Sequence, residues 1–105
     1  MEMMMIDIAA SFTRFPGGRY RSDGRFSGER FRDELLVPAL KEHEHVVVRL
    51  DGTVGYGSSF LEEAFGGVVR IGAFTADELL AKLTFESADS SLVDEIREYI
   101  TATRH

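Results

Sequence analysis

Val46-Val47-Val48-Arg49-Leu50 constrains this chain more than any other stretch. A β-branched run favours extended backbone, and unbroken apolar character suits a central strand covered on both faces. Asp51-Gly52 ends it, and Gly55-Tyr56-Gly57-Ser58-Ser59-Phe60-Leu61-Glu62-Glu63 follows. Two glycines allow a tight turn there, and two hydroxyls stand where a helix presents unpaired N–H groups and a positive dipole end. Ser59 and Glu62 have capping-box spacing, so the helix is expected to start at Ser58 or Ser59. Leu61, Ala64, Phe65 and Val68 form its inner face. Gly66-Gly67 either ends this helix or permits close packing.

The rest of the chain repeats the alternation. Residues 3–8 read as a short first strand. The segment 12–27 is rich in Gly, Arg and Pro, with turn signals at Pro16-Gly17-Gly18 and Asp23-Gly24. Residues 18–21 between them are expected as an edge strand of a β-hairpin. Ser27 is an N-cap for a helix over 28–42, with Phe31, Leu35, Leu36, Ala39 and Leu40 on one face and Pro38 set to kink it. Thr75-Ala76-Asp77-Glu78 is a second capping box, opening a helix to Lys82. Residues 83–86 read as a strand. The last helix spans 89–103, with Leu92, Val93, Ile96, Tyr99 and Ile100 on one face. Strands alternating with helices predict one α/β domain over residues 1–105, with a small parallel or mixed sheet.

Composition narrows the function. Hydrophobic residues are 44% of 105, enough for one core. The apolar runs are too short to span a membrane. Met1-Glu2-Met3-Met4-Met5 lacks the charged and apolar regions of a secretory leader. Cysteine is absent, which excludes disulfides and thiolate chemistry and suits a cytoplasmic protein. A net charge of −6 disfavours nucleic acid. Yet six of the twelve basic residues are arginines between Arg14 and Arg32: Arg14, Arg19, Arg21, Arg25, Arg30 and Arg32. Their forked guanidinium groups suit an anion or an acidic partner, and equally a solvated loop with ion pairs.

Three blocks bear on identity: Arg14-Phe15-Pro16-Gly17-Gly18-Arg19, Ser27-Gly28-Glu29-Arg30-Phe31-Arg32, and Gly55-Tyr56-Gly57-Ser58-Ser59-Phe60-Leu61-Glu62-Glu63-Ala64-Phe65-Gly66-Gly67. In this order and spacing they resemble the hallmark blocks of the STAS-like domains of unknown function. The resemblance implies a STAS-like α/β fold with a small mixed sheet. The wider STAS class includes anti-sigma-factor antagonists. These bind a GHKL-type ATPase that doubles as a serine kinase, and they switch partners when a serine at the start of the second helix is phosphorylated. Their motif reads Asp-Ser-Ser-Gly. By position Ser58-Ser59 match the serine pair, with Ser59 in the place of the modified serine. Gly57 stands where the aspartate would be and Phe60 where the glycine would be.

The candidate sites therefore centre on that turn. Ser58 and Ser59 are open to capping, to phosphorylation, or to holding a small anion or nucleotide phosphate. Tyr56 is either an exposed contact or a ring packed on the sheet. Arg14, Arg19, Tyr56, Gly57, Ser58 and Ser59 are the expected partner-binding or anion-binding set. No Gly-Lys-Ser/Thr follows the turn, so it is not a P-loop. Glu62-Glu63 read as a solvated first turn that complements the dipole. His43-Glu44-His45 has two imidazoles without a third ligand nearby in sequence, so no metal is expected. Asp51 is a general base only if a pocket forms beside Ser59. With His105 terminal and no nucleophile–base pair suggested by spacing, the chain is expected to be a non-enzymatic interaction module without a cofactor.

Overall fold

Three apolar segments become strands in the computed structural model, which describes residues 3–103: β1 (Met3–Asp7), β2 (His45–Arg49) and β3 (Leu83–Glu86). They form one sheet in the order β1-β2-β3, and both pairs are parallel. Ile6 lies beside Val48, and Val48 beside Phe85. Parallel neighbours need long crossovers, and helices supply them. Helix α1 covers residues 28–42 between β1 and β2. Helices α2 (residues 58–70) and α3 (Ala76–Lys82) lie between β2 and β3, and α4 (Ser90–Ala102) follows β3.

The strand reading of Val46-Val47-Val48 holds: all three are buried in succession, so both faces of β2 are covered. Phe31, Leu36, Leu40, Leu50, Phe60, Leu61, Phe65, Ile96 and Ile100 are fully buried around it. Each such side chain contributes roughly 1.5–3 kcal/mol by leaving water. Ala64 and Val68 join Leu61 and Phe65 on the inner face of α2, as its spacing predicts.

Ser27 caps α1, its Oγ accepting from the N–H of Arg30 at 3.1 Å. Pro38 does not break the helix. The chain runs as an α-turn (Gly28–Phe31), a wider π-type segment (Arg32–Leu36) and a final α segment (Val37–Glu42). The ring, which has no N–H to donate, falls at the junction of the π-type and final α segments, where the helical bonding changes register. Helix α2 has the same construction: Ser58–Leu61, a π-type Glu62–Gly66, then Gly67–Arg70.

The hairpin expected at 18–21 does not form. The segment is a loop with one 3₁₀ turn (Arg21–Asp23), and the sheet is parallel throughout rather than mixed. The loop closes on itself and on α1 instead. The N–H of Gly17 donates to the Phe26 carbonyl at 3.1 Å, that of Gly28 to Gly18 at 2.9 Å, and that of Glu29 to Arg19 at 3.0 Å. Phe12 packs edge-on against both Phe26 and Phe31, and the Arg30 guanidinium lies over the Phe12 and Phe26 rings. Backbone groups satisfied this way have no need of a strand partner.

Candidate functional site

The turn between β2 and α2 is pinned at both ends. The Asp51 carboxylate accepts from the Ala88 N–H at 3.1 Å, tying the turn to the loop before α4. The Tyr56 hydroxyl donates to the Leu50 carbonyl at 2.6 Å, and its ring lies 5.9 Å from that of Phe60. Tyr56 is thus half-buried against the core rather than an exposed contact. Burial raises its pKa, with the Asp51 carboxylate adding to the effect. The Asp51 carboxylate is thus engaged by a backbone N–H.

Between these pins the chain bows outward and meets the first loop. The Val54 N–H donates to the Arg14 carbonyl at 2.9 Å. This bond sets two large apolar side chains on neighbouring backbone, Phe15 (67% exposed) and Val54 (70% exposed). Arg14 is exposed beside them and makes no ion pair among the described residues. Ser58 and Ser59 follow, both exposed.

Helix α2 begins at Ser58, as expected, but not through a capping box. Gly57 occupies the cap position and no side chain caps the turn. Ser59 is already one residue inside the helix, and Glu62 is engaged elsewhere. Arg19 and Arg70 both grip Glu62, the latter at 2.6 Å. Burial works against the Glu62 carboxylate, but hydrogen bonds from Arg70 and then Arg19 outweigh it and hold its pKa below the ordinary value.

Glu63 is not solvated either. It is 4% exposed and pairs with Arg32, which is almost as buried. Arg70 reaches the other Glu63 oxygen at 2.8 Å, and Arg19 approaches it at 3.3 Å. Three arginines from the first loop, α1 and the end of α2 therefore converge on two adjacent carboxylates. Diverging side chains suit this, since the cations arrive from different sides. The π-type segments of both helices contribute the central pair, Arg32 and Glu63. A Cβ on Gly67 would stand 2.9 Å from Arg32 Nη1 and 3.0 Å from Glu63 Oε2, so a larger residue there would have to displace the ends of the paired side chains. Gly66-Gly67 permits packing rather than ending the helix.

The arginine-rich segment is accordingly not a free positive field. Arg21 pairs with Glu34 at 2.8 Å, and Arg30 with Glu34 at 3.2 Å. Arg32 is held between Asp33 and Glu63, and Arg25 stacks over Phe26. Sequence reasoning missed Arg32, Glu63 and Arg70 as a unit. A charged residue on each of two otherwise apolar helix faces, with Gly67 one turn after Glu63, is the signal that marks them.

At the carboxyl ends of β1 and β2 an open groove of about 350 Å³ is lined by Asp7, Ala9, Arg14, Arg49, Asp51 and Gly52. Arg49 is flanked by Asp7 at 3.9 Å and Glu86 at 3.4 Å, so the groove's charges are largely balanced. His45 Nε2 lies 2.6 Å from the Thr84 hydroxyl, and Lys82 donates to the His43 carbonyl at 2.9 Å. No group of three metal-ligating side chains occurs among the described residues. Met1, Glu2 and His105 lie outside them. No described helix is long and apolar enough to cross a membrane.

Parallel strands, two interrupted helices packed through a buried ion cluster, and a bowed turn before the second helix define a small α/β domain of STAS-like type. The match is direct over residues 27–93, more than half the chain, and the chain belongs to the STAS-like domains of unknown function. Two of the three hallmark blocks fall inside that span. No curated protein and no solved structure matches the chain.

Proposed function

We propose that this domain is a non-enzymatic regulatory module that binds a protein partner through the surface at the start of α2. The observation that carries the reading is the Val54–Arg14 hydrogen bond, which joins two loops into one exposed face. Phe15 and Val54 supply apolar contact, Arg14 a cation without an ion pair among the described residues, and Ser58 and Ser59 a modifiable edge. Exposed aromatic and arginine side chains on a fixed backbone are the usual anchors of interfaces. The partner we propose, on the resemblance to STAS domains, is a GHKL-type ATPase acting as a serine kinase, in a bacterial, cytoplasmic signalling setting.

Phosphorylation of Ser59 suits the geometry. The phosphate would sit in the first turn of α2, where the dipole favours negative charge. Glu62 and Glu63, three and four residues on, would repel it if free, but arginines already engage both. Arg19 acts in this reading by holding the first loop against α2 rather than by touching the partner. The first turn of α2 has no side-chain cap, which favours a second reading, a small anion or nucleotide phosphate held there.

The test is capture of the partner from the native host with wild-type protein as bait, then affinity measurements. Arg14→Glu, Phe15→Ala and Ser59→Asp are each expected to weaken binding at least tenfold while circular dichroism stays unchanged. Binding indifferent to Arg14→Glu and Phe15→Ala sinks the surface. Indifference to Ser59→Asp alone sinks only the switch. Saturable binding of ATP or inorganic phosphate, lost in Arg14→Glu, would favour the second reading.

A further inference from the structure

The outer side of β1 carries a surface unrelated to the serine turn. Among the described residues β1 pairs only with β2, so its other edge ends the sheet. Soluble proteins ordinarily blunt such an edge with lysine, proline or a bulge. This one is Met3-Met4-Met5-Ile6-Asp7, paired residue for residue with β2 and carrying none of those devices. Met3, Met4 and Met5 are 60%, 39% and 47% exposed. Beside the edge, Met4, Met5, Leu35 and Pro38 line a groove of about 200 Å³, with Glu34 and Glu42 among its walls. Methionine side chains repack readily and suit a surface that meets another chain.

We propose that this edge takes an extended segment of a partner protein as a fourth strand. Alternate apolar side chains of the segment fill the methionine groove, and lysine or arginine on it answers the acidic rim. Backbone hydrogen bonds supply the pairing and the groove supplies selectivity. Charge selects the occupant. Glu34 is already paired with Arg21 and Arg30, but Glu42 makes no ion pair among the described residues. Pairing of two β1 edges fits poorly, because the second β1 would bring only Asp7 and no basic residue to Glu42, between two chains of net charge −6.

The experiment is an NMR titration of the full chain with an acetylated nonapeptide of alternating lysine and leucine, and with its glutamate–leucine counterpart. The lysine peptide is expected to saturate, to shift the Met4 and Met5 methyl resonances, and to protect the outward amides of β1 from hydrogen exchange. Met4→Glu and Glu42→Lys, each folded by circular dichroism, should weaken it at least tenfold. Glu42→Lys lies on an exposed helix end and guards against misfolding of the strand variant. Binding that leaves the β1 amides unprotected, or that is equal for both peptides or for Glu42→Lys, overturns the proposal. So does free protein that is dimeric by light scattering with those amides already protected.

Discussion

Glu63 lies inside a helix face otherwise made of Phe60, Ala64 and Gly67, where Arg32, Arg70 and Arg19 all reach it. Such a pair contributes little net stability compared with apolar side chains of the same volume, but breaking it strands a buried ion. Arg32→Met is therefore expected to destabilise the domain by about 3–5 kcal/mol in urea titration. A loss below 1 kcal/mol would mean that Arg19 and Arg70 suffice alone. The two hydroxyl-led helix starts give a contrasting pair. Thr75 Oγ1 accepts from the Glu78 N–H at 3.1 Å while Glu78 reaches back to the Thr75 N–H at 2.8 Å. Ser59 does neither. Thr75→Ala should cost about 1 kcal/mol. Ser59→Ala should stay within about 0.5 kcal/mol, as for a surface site without such a feature. Equal costs would contradict the cap assignment. Both motifs are legible in sequence, and what separates them is that arginines compete for Glu62 whereas Glu78 makes no ion pair among the described residues.

Helices α1 and α2 cross where Gly28 lies against the Phe60 carbonyl. A Cβ there would overlap that oxygen and come within 3.1 Å of the Ala64 nitrogen. Both obstacles are backbone, so neither can swing aside. Gly28→Ala is expected to cost about 1–3 kcal/mol, as overpacking does, with heat or urea unfolding as the measure. The contact lies in the block Ser27-Gly28-Glu29-Arg30-Phe31-Arg32, which joins a cap, a crossing and a buried cation within six residues. Helix positions and inner faces were readable from periodicity, because burial on one side repeats with the turn. The hairpin was not. Turn residues at Gly17-Gly18 and Asp23-Gly24 read alike for a hairpin and for a loop, and the bonds to α1 and Phe26 decided between them.

For the whole molecule, the ion cluster couples stability to pH. The folded pKa of Glu62 lies below its ordinary value of about 4.5. A depressed carboxylate stabilises the fold above its unfolded pKa, and this is lost as pH falls through the folded pKa. Glu34 and Asp89, also depressed, act in the same direction at the surface. Stability should be level from pH 7 to about pH 5 and fall below about pH 4.5. Glu62→Gln should be less stable than wild type at pH 7, and the difference should shrink in acid. Parallel acid limbs in the two proteins would show that Glu62 is not part of this response. Loss of Glu62 also leaves Arg19 with only its longer contact to Glu63, so the first loop should exchange its amides faster.

The apolar run of β2, the inner face of α2, the Ser27 and Thr75 caps and the serine pair at the helix start were all determined locally. Each depends on residues within a few positions of one another, and periodicity or capping chemistry expresses that directly. The exposed surface uniting Arg14 with Val54, and the cluster uniting Arg19 and Arg32 with Glu62 and Glu63, were decided by the tertiary structure alone. Their partners lie about 40 residues apart in the chain for Arg14–Val54 and 43 for Arg19–Glu62. An arginine reads the same in sequence whether it faces water, a partner or a buried carboxylate. Packing of α1 and the first loop on α2 brings Arg32 and Arg19 to Glu62 and Glu63, and leaves Arg14 exposed without an ion pair among the described residues.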